Sequence, residues 1–82
     1  TFQDTYAWIL YKLKEYNAAR QWLLKALLNG GEENPVIVEH YGDILYKLGD
    51  FSESLEQWKK AKKLGGNSNL LDKKIEDKIL YE

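Results

Sequence analysis

The 82-residue chain contains no cysteine, no methionine, one histidine and one proline. Without cysteine there is neither a disulfide nor a thiolate metal site, and a lone His40 makes no zinc site without several carboxylates around it. No apolar run approaches the roughly 20 residues that a membrane-spanning helix needs. No charge of one sign dominates either, because 12 basic and 13 acidic side chains leave a formal net charge of −1. A nucleic-acid-binding domain usually carries a clear basic surplus, so that class is disfavoured. The glycine loops "NGGEENP" and "LGGNSN" lack the Lys and Ser/Thr that a phosphate-cradling loop requires. The neighbouring carboxylates Asp4 and Glu39, or Glu39 and Asp43, read as a solvated helical face. Acid/base work would need a dry cleft that splits their pKa values. No catalytic constellation, metal site or cofactor is expected, and the chain does not read as an enzyme.

What is present is an ordinary globular balance of 44% hydrophobic and 30% charged residues. A chain this short forms one small domain and buries only about 60% of its unfolded surface. It opens on "TFQDTYAWILYKL", already helical in pattern, with neither an initiator Met nor a signal peptide. It is therefore expected to be a piece of a longer protein.

The strongest feature is an internal repeat. "YAWILYKLKEY" (Tyr6 to Tyr16) lies over "YGDILYKLGDF" (Tyr41 to Phe51) at an offset of 35, with six identities in eleven positions. The same offset pairs Lys25-Ala26 with Lys60-Ala61, Gly30-Gly31 with Gly65-Gly66, and Asn34 with Asn69. Each copy reads as two helices. Apolar residues three and four apart, at Tyr6, Ile9, Leu10 and Leu13 and again at Tyr41, Ile44, Leu45 and Leu48, define the first helix. A second helix follows over about Ala18 to Asn29 and about Glu53 to Leu64, with Asn17 and Ser52 as expected N-caps. Glu53 and Glu56 early and the lysines of "KKAKK" late complement the helix dipole, so the lysine run reads as a solvated helix end. Pro35 opens the next first helix, where its missing N–H costs nothing. Leu71, Ile75 and Ile79 stripe a final amphipathic helix over 69–82, which would cover the open end of a stack. Gly42 stands in the middle of a helix at a cost of roughly 1 kcal/mol relative to Ala. Something must approach its backbone too closely to admit a side chain.

These residues resemble the tetratricopeptide repeat family, arrays of helix-turn-helix units of about 34 residues. The second copy supplies Gly42, Leu45, Gly49, Phe51, Ser54, Trp58 and Ala61 in the family's register. The first supplies Ala7, Leu10, Tyr16, Ala19, Leu23 and Ala26. Lys14 departs from the turn glycine and Leu23 from the second-helix aromatic, and the period, at 35, is one residue longer than the family's. The resemblance implies an all-α, right-handed α-α superhelix: repeat one over 1–31, repeat two over 35–66, and a capping helix over 69–82, five helices in all. It also implies that Gly42 faces Ser54 or Ala61, and Ala7 faces Ala19 or Ala26.

In that family the first helix of each pair lines a concave binding surface. Carried over, the surface here is Asp4, Trp8, Tyr11 and Lys12 from the first helix and Glu39, Asp43, Tyr46 and Lys47 from the third. Lys74 and Lys78 stand at its far edge. Trp8 is either an exposed anchor or packed on Tyr46 or Asp43 of the next repeat. The resemblance implies a scaffold that binds a protein or peptide, and not a nucleic acid. The carboxylates disfavour a C-terminal carboxylate and favour a mixed or basic peptide with an apolar anchor. Two alternatives stand beside it: an end-cap with no separable ligand, which could self-associate through Phe2, Tyr6 or Ile9, and a single-stranded RNA reader of pentatricopeptide type, whose tracts are generally basic.

Overall fold

Two tight turns set the architecture. In the computed structural model, which describes residues 2–66 and 68–81 with side chains from residue 4 onward, five α-helices run in sequence. They are α1 (Phe2–Lys12), α2 (Tyr16–Leu28), α3 (Pro35–Lys47), α4 (Phe51–Lys63) and α5 (Asn69–Asp77). A 3₁₀ turn at Gly31–Glu33 precedes α3, and no strand occurs among the described residues. The class is all-α. The main packings join α1 to α2 and α3 to α4, as two hairpins; α3 then leans on α2 and α5 on α4.

The hairpin turns are the same structure twice. Lys14 N–H donates to Tyr11 C=O at 3.0 Å and Glu15 N–H to Leu10 C=O at 2.9 Å; Gly49 and Asp50 bond to Tyr46 and Leu45 at the same two distances. The first residue of each turn pair is left-handed, with φ 64° at Lys14 and 89° at Gly49. This is the Schellman arrangement, which satisfies the last carbonyls of the ending helix. Its final residue then becomes the N-cap of the next helix. Hence α2 and α4 start at Tyr16 and Phe51, earlier than expected, and Asn17 and Ser52 lie inside the first turns rather than capping them. Asp50 caps α4 by accepting from Glu53 N–H at 3.3 Å, whereas Glu15 makes no side-chain cap bond. Asn34 caps α3 by accepting from Val36 N–H at 2.9 Å, with Pro35 at the first helical position.

The core has two centres. Ala7, Tyr11, Ala19, Leu23, Ala26, Ile37 and Ile44 bury one; Val38, Trp58, Ala61 and Leu71 bury the other; Leu27 packs on both. Gly42 faces Ser54, as the resemblance implied, but its closest neighbour is Trp58. A Cβ built at Gly42 would lie 2.5 Å from Trp58 Cδ1 and 3.1 Å from Ser54 C=O. Ser54 Oγ donates to Gly42 C=O at 2.7 Å, tying the two backbones together.

Helix α5 departs from expectation in length and in phase. It ends at Asp77, where Lys78 turns left-handed at φ 57°, instead of running toward Glu82, which lies outside the described residues. Leu71 is buried and Ile75 half-buried, but Ile79 is 46% exposed, so the covering stripe stops a turn early. The cause lies in the linker. Gly31 abuts Ala26 C=O and Ile37, and Gly66 abuts Ala61 C=O and Leu71. Leu71 thus takes the place of Ile37 one residue sooner than the repeat dictates.

Candidate binding groove

Between α1, α3 and α5 lies an open groove of about 340 Å³. Its rim is apolar where Val36 and Leu70 stand 54% and 42% exposed at the starts of α3 and α5. Trp8 and His40 form one end. The Trp8 ring is held between Tyr11, at 4.5 Å and 7° between planes, and His40, at 3.9 Å and 13°. Trp8 therefore packs on the next hairpin, but on His40 rather than on Tyr46 or Asp43. Lys12 Nζ stands 5.3 Å from the Trp8 ring. Asp4 Oδ1 lies 3.4 Å from His40 Nδ1. Burial lowers the His40 pKa, and the nearby Asp4 only partly offsets it, so the ring is neutral at pH 7.

The other end is ionic and nearly dry. Lys74 Nζ donates to Glu39 Oε2 and to Asp43 Oδ1, both at 2.8 Å, with the Lys74 and Asp43 side chains only 4% and 6% exposed. Trp58 Nε1 donates to the same Asp43 oxygen at 3.0 Å. Desolvation pushes the Asp43 pKa up to about 6, against the pull of the Lys74 ammonium. Its carboxyl is mostly ionised at pH 7, at a considerable free-energy cost.

The two ends are one contact made twice. His40 meets Asp4 and Trp8; Lys74, shifted by the shorter linker, meets Glu39 and Asp43, their counterparts 35 residues on. Of the expected surface residues, Trp8, Tyr11, Lys12, Glu39, Asp43 and Lys74 are brought together along the groove, and Asp4 stands beside it through His40. Asp43 and Lys74, however, are buried in the joint rather than presented at the surface. Tyr46 belongs to the second hairpin's interior, edge-on to Phe51 at 4.8 Å and stacked on Trp58 at 5.8 Å. Lys47 and Lys78 are exposed and do not line the groove.

His40, Val36, Leu70 and Tyr81 line the groove without having been expected there. Val36 and Leu70 each follow a helix-opening residue, Pro35 and Asn69, outside the run of first-helix positions carried over. His40 directly follows Glu39 in the sequence, and only the packing of α3 against α1 turns it toward Trp8.

Among the described residues no group of histidines and carboxylates could hold a metal ion, and no helix is long and apolar enough to cross a membrane. The groove can bind by shape, by its aromatic end and by charge. Comparison with protein-family models, with curated proteins and with solved structures finds no match to this chain.

Proposed function

We propose that the chain is an interaction module of tetratricopeptide type that holds a segment of a partner protein in the groove between α1, α3 and α5. One observation carries the reading: two exposed apolar side chains, Val36 and Leu70, rim a groove whose charged floor is already paired within the protein. Exposed apolar residues around a concave, satisfied floor are what a peptide anchor needs, since it gains burial without stranding a charge. Three carboxylates, Asp4, Glu39 and Asp43, stand against Lys12 and Lys74, and His40 is neutral. That balance favours a segment with an apolar anchor and a neighbouring Lys or Arg over one ending in a carboxylate. It equally disfavours a polyphosphate backbone.

Selection of displayed random peptides against the chain tests this. Enriched sequences are expected to pair an apolar residue with a basic one. Their affinity is expected to fall by about tenfold or more in Val36→Asp and in Leu70→Asp, with melting temperatures unchanged because both side chains are exposed. Failure to enrich any sequence, or equal binding to both variants, refutes the groove as the site.

A further inference from the structure

The groove carries the chain's one histidine at one end and a buried carboxyl at the other. Around His40 stand Asp4 of α1, with Oδ1 3.4 Å from Nδ1, and the Trp8 ring, stacked at 3.9 Å. Lys12, also of α1, lies over that ring at 5.3 Å, and the charges of Glu39 on α3 and Lys74 on α5 reach the imidazole as well. Around Asp43 stand Lys74 at 2.8 Å, the Trp58 Nε1 of α4 at 3.0 Å, and Glu39 one turn back on α3. Three carboxylates thus face two ammoniums at pH 7, which leaves the groove one net negative charge.

One proton on each of His40 and Asp43 turns that balance into one net positive charge. Each proton also acts locally. A His40 cation pairs with Asp4 and cancels its field. A neutral Asp43 leaves Lys74 with Glu39 alone, so the ammonium holds more firmly the carboxylate nearest the opening. Both groups line the groove, inside the roughly 8 Å over which physiological salt leaves charges coupled. Burial holds His40 below its ordinary 6.5 and desolvation raises Asp43 to about 6, so both charge changes fall below pH 6.5. The fold tolerates them. His40, with its folded pKa depressed, contributes stability that is lost as the pH falls through the folded value, whereas Asp43 contributes more as it takes up its proton. We propose that the groove releases its partner in mild acid, because protons on His40 and Asp43 make its wall net positive and expel a segment held by a Lys or Arg. The proposal rests on the reading of the groove as a binding site and adds the regulation of that site.

The probe is the tightest peptide selected at pH 7 that carries one basic residue and no His, Asp or Glu. A companion peptide has Gln in place of the basic residue. Calorimetric titration of the full chain at pH 7 and pH 5, at one ionic strength, reads the affinities. The basic peptide is expected to bind about tenfold or more weakly at pH 5, and the companion equally at both. In His40→Gln, which gains no charge, the basic peptide is expected to lose clearly less affinity. Linkage supplies a second readout in the unaltered chain: saturating peptide must move the NMR titration of the one histidine to lower pH. A basic peptide that binds equally at the two pH values, or a histidine titration that the peptide leaves in place, overturns the proposal. So does an undiminished pH effect in His40→Gln. The groove itself stands after any of these results if Val36→Asp and Leu70→Asp still weaken binding, and falls together with the switch if no peptide is enriched.

Discussion

Replacing Gly42 by alanine tests the central packing statement most directly. In an open helix the change stabilises by roughly 1 kcal/mol. Here the new methyl would lie 2.5 Å from Trp58 Cδ1 and 2.6 Å from Nε1, more than 1 Å inside ordinary carbon contact distance. The ring has nowhere to retreat, because Trp58 is fully buried, donates to Asp43 and stacks on Tyr46. On the other side the Ser54 carbonyl is backbone at 3.1 Å. Overpacking of this kind costs roughly 1–3 kcal/mol, and the steric overlap puts Gly42→Ala at the upper end. After the helix gain the net loss is about 1–2 kcal/mol, a fall in melting temperature of about 4–16 °C for a domain this size. The first hairpin supplies the control. There Ala7 occupies the position of Gly42, and Leu23 the position of Trp58, both buried. A smaller side chain at one position accompanies a larger one at the other. In a Trp58→Leu background, itself destabilised, Gly42→Ala should therefore become stabilising by a few tenths to 1 kcal/mol. Thermal unfolding of the four proteins in the cycle measures this reversal of sign. If Gly42→Ala raises the melting temperature of the parent chain, or acts alike in both backgrounds, the close-approach argument is wrong.

Two further predictions concern charge and backbone. Asp43 has a folded-state pKa near 6 against an ordinary value of 3.8, so the folded chain holds its proton more tightly than the unfolded one. Its contribution to stability is full below about pH 4 and is lost as the pH rises through 6, on the order of 3 kcal/mol in all. Denaturant unfolding should show Asp43→Asn flattening the stability profile between pH 4 and 6, on top of the loss from the broken Lys74 pair; an unchanged slope between pH 4 and 6 would refute the desolvation account. Lys14 holds the left-handed turn position that Gly49 holds in the second hairpin, and an L-residue there costs roughly 1–2 kcal/mol. Lys14→Gly should raise the melting temperature by several degrees, and a fall would show that the lysine stem contributes more than the backbone conformation costs.

The hairpins were legible because the repeat compares the chain with itself. A match at a fixed offset located both first helices and the Gly-Gly breaks, while Pro35 and the crowded Gly42 were legible from residue type, as a helix-opening proline and a glycine inside a helical spacing. Helix starts were less legible. Asn17 and Ser52 are good cap residues by type, but the cap position was settled by backbone bonds of the Schellman turn, which Lys14 and Gly49 enable despite being unlike residues. The phase of α5 depended on a linker one residue shorter, which moved Lys74 into the place that His40 holds. A lysine on a polar helix reads as exposed, and its burial needs two carboxylates on another helix, which periodicity along one chain does not convey.

The two joints show why groove and core cannot be varied separately. Trp8 and Asp43 are counterparts, and each dictates what meets it from the next first helix. A planar ring accepts another ring, and His40 stacks on Trp8 with its charge suppressed by burial. A buried carboxylate demands a cation, and Lys74 provides one while spanning to Glu39. Breaking such a buried pair by removing one partner typically costs 3–5 kcal/mol, so the ionic joint is fixed by stability. The ring joint stands under no such constraint of charge, and Trp8 and His40 are half-buried. If the groove binds a partner segment as proposed, the segment's apolar anchor belongs at the Trp8–His40 end, where burial displaces no ion pair. Under the same proposal its basic group would lie toward Glu39, whose side chain, at 14% exposure, is the most accessible of the three members of the ionic joint.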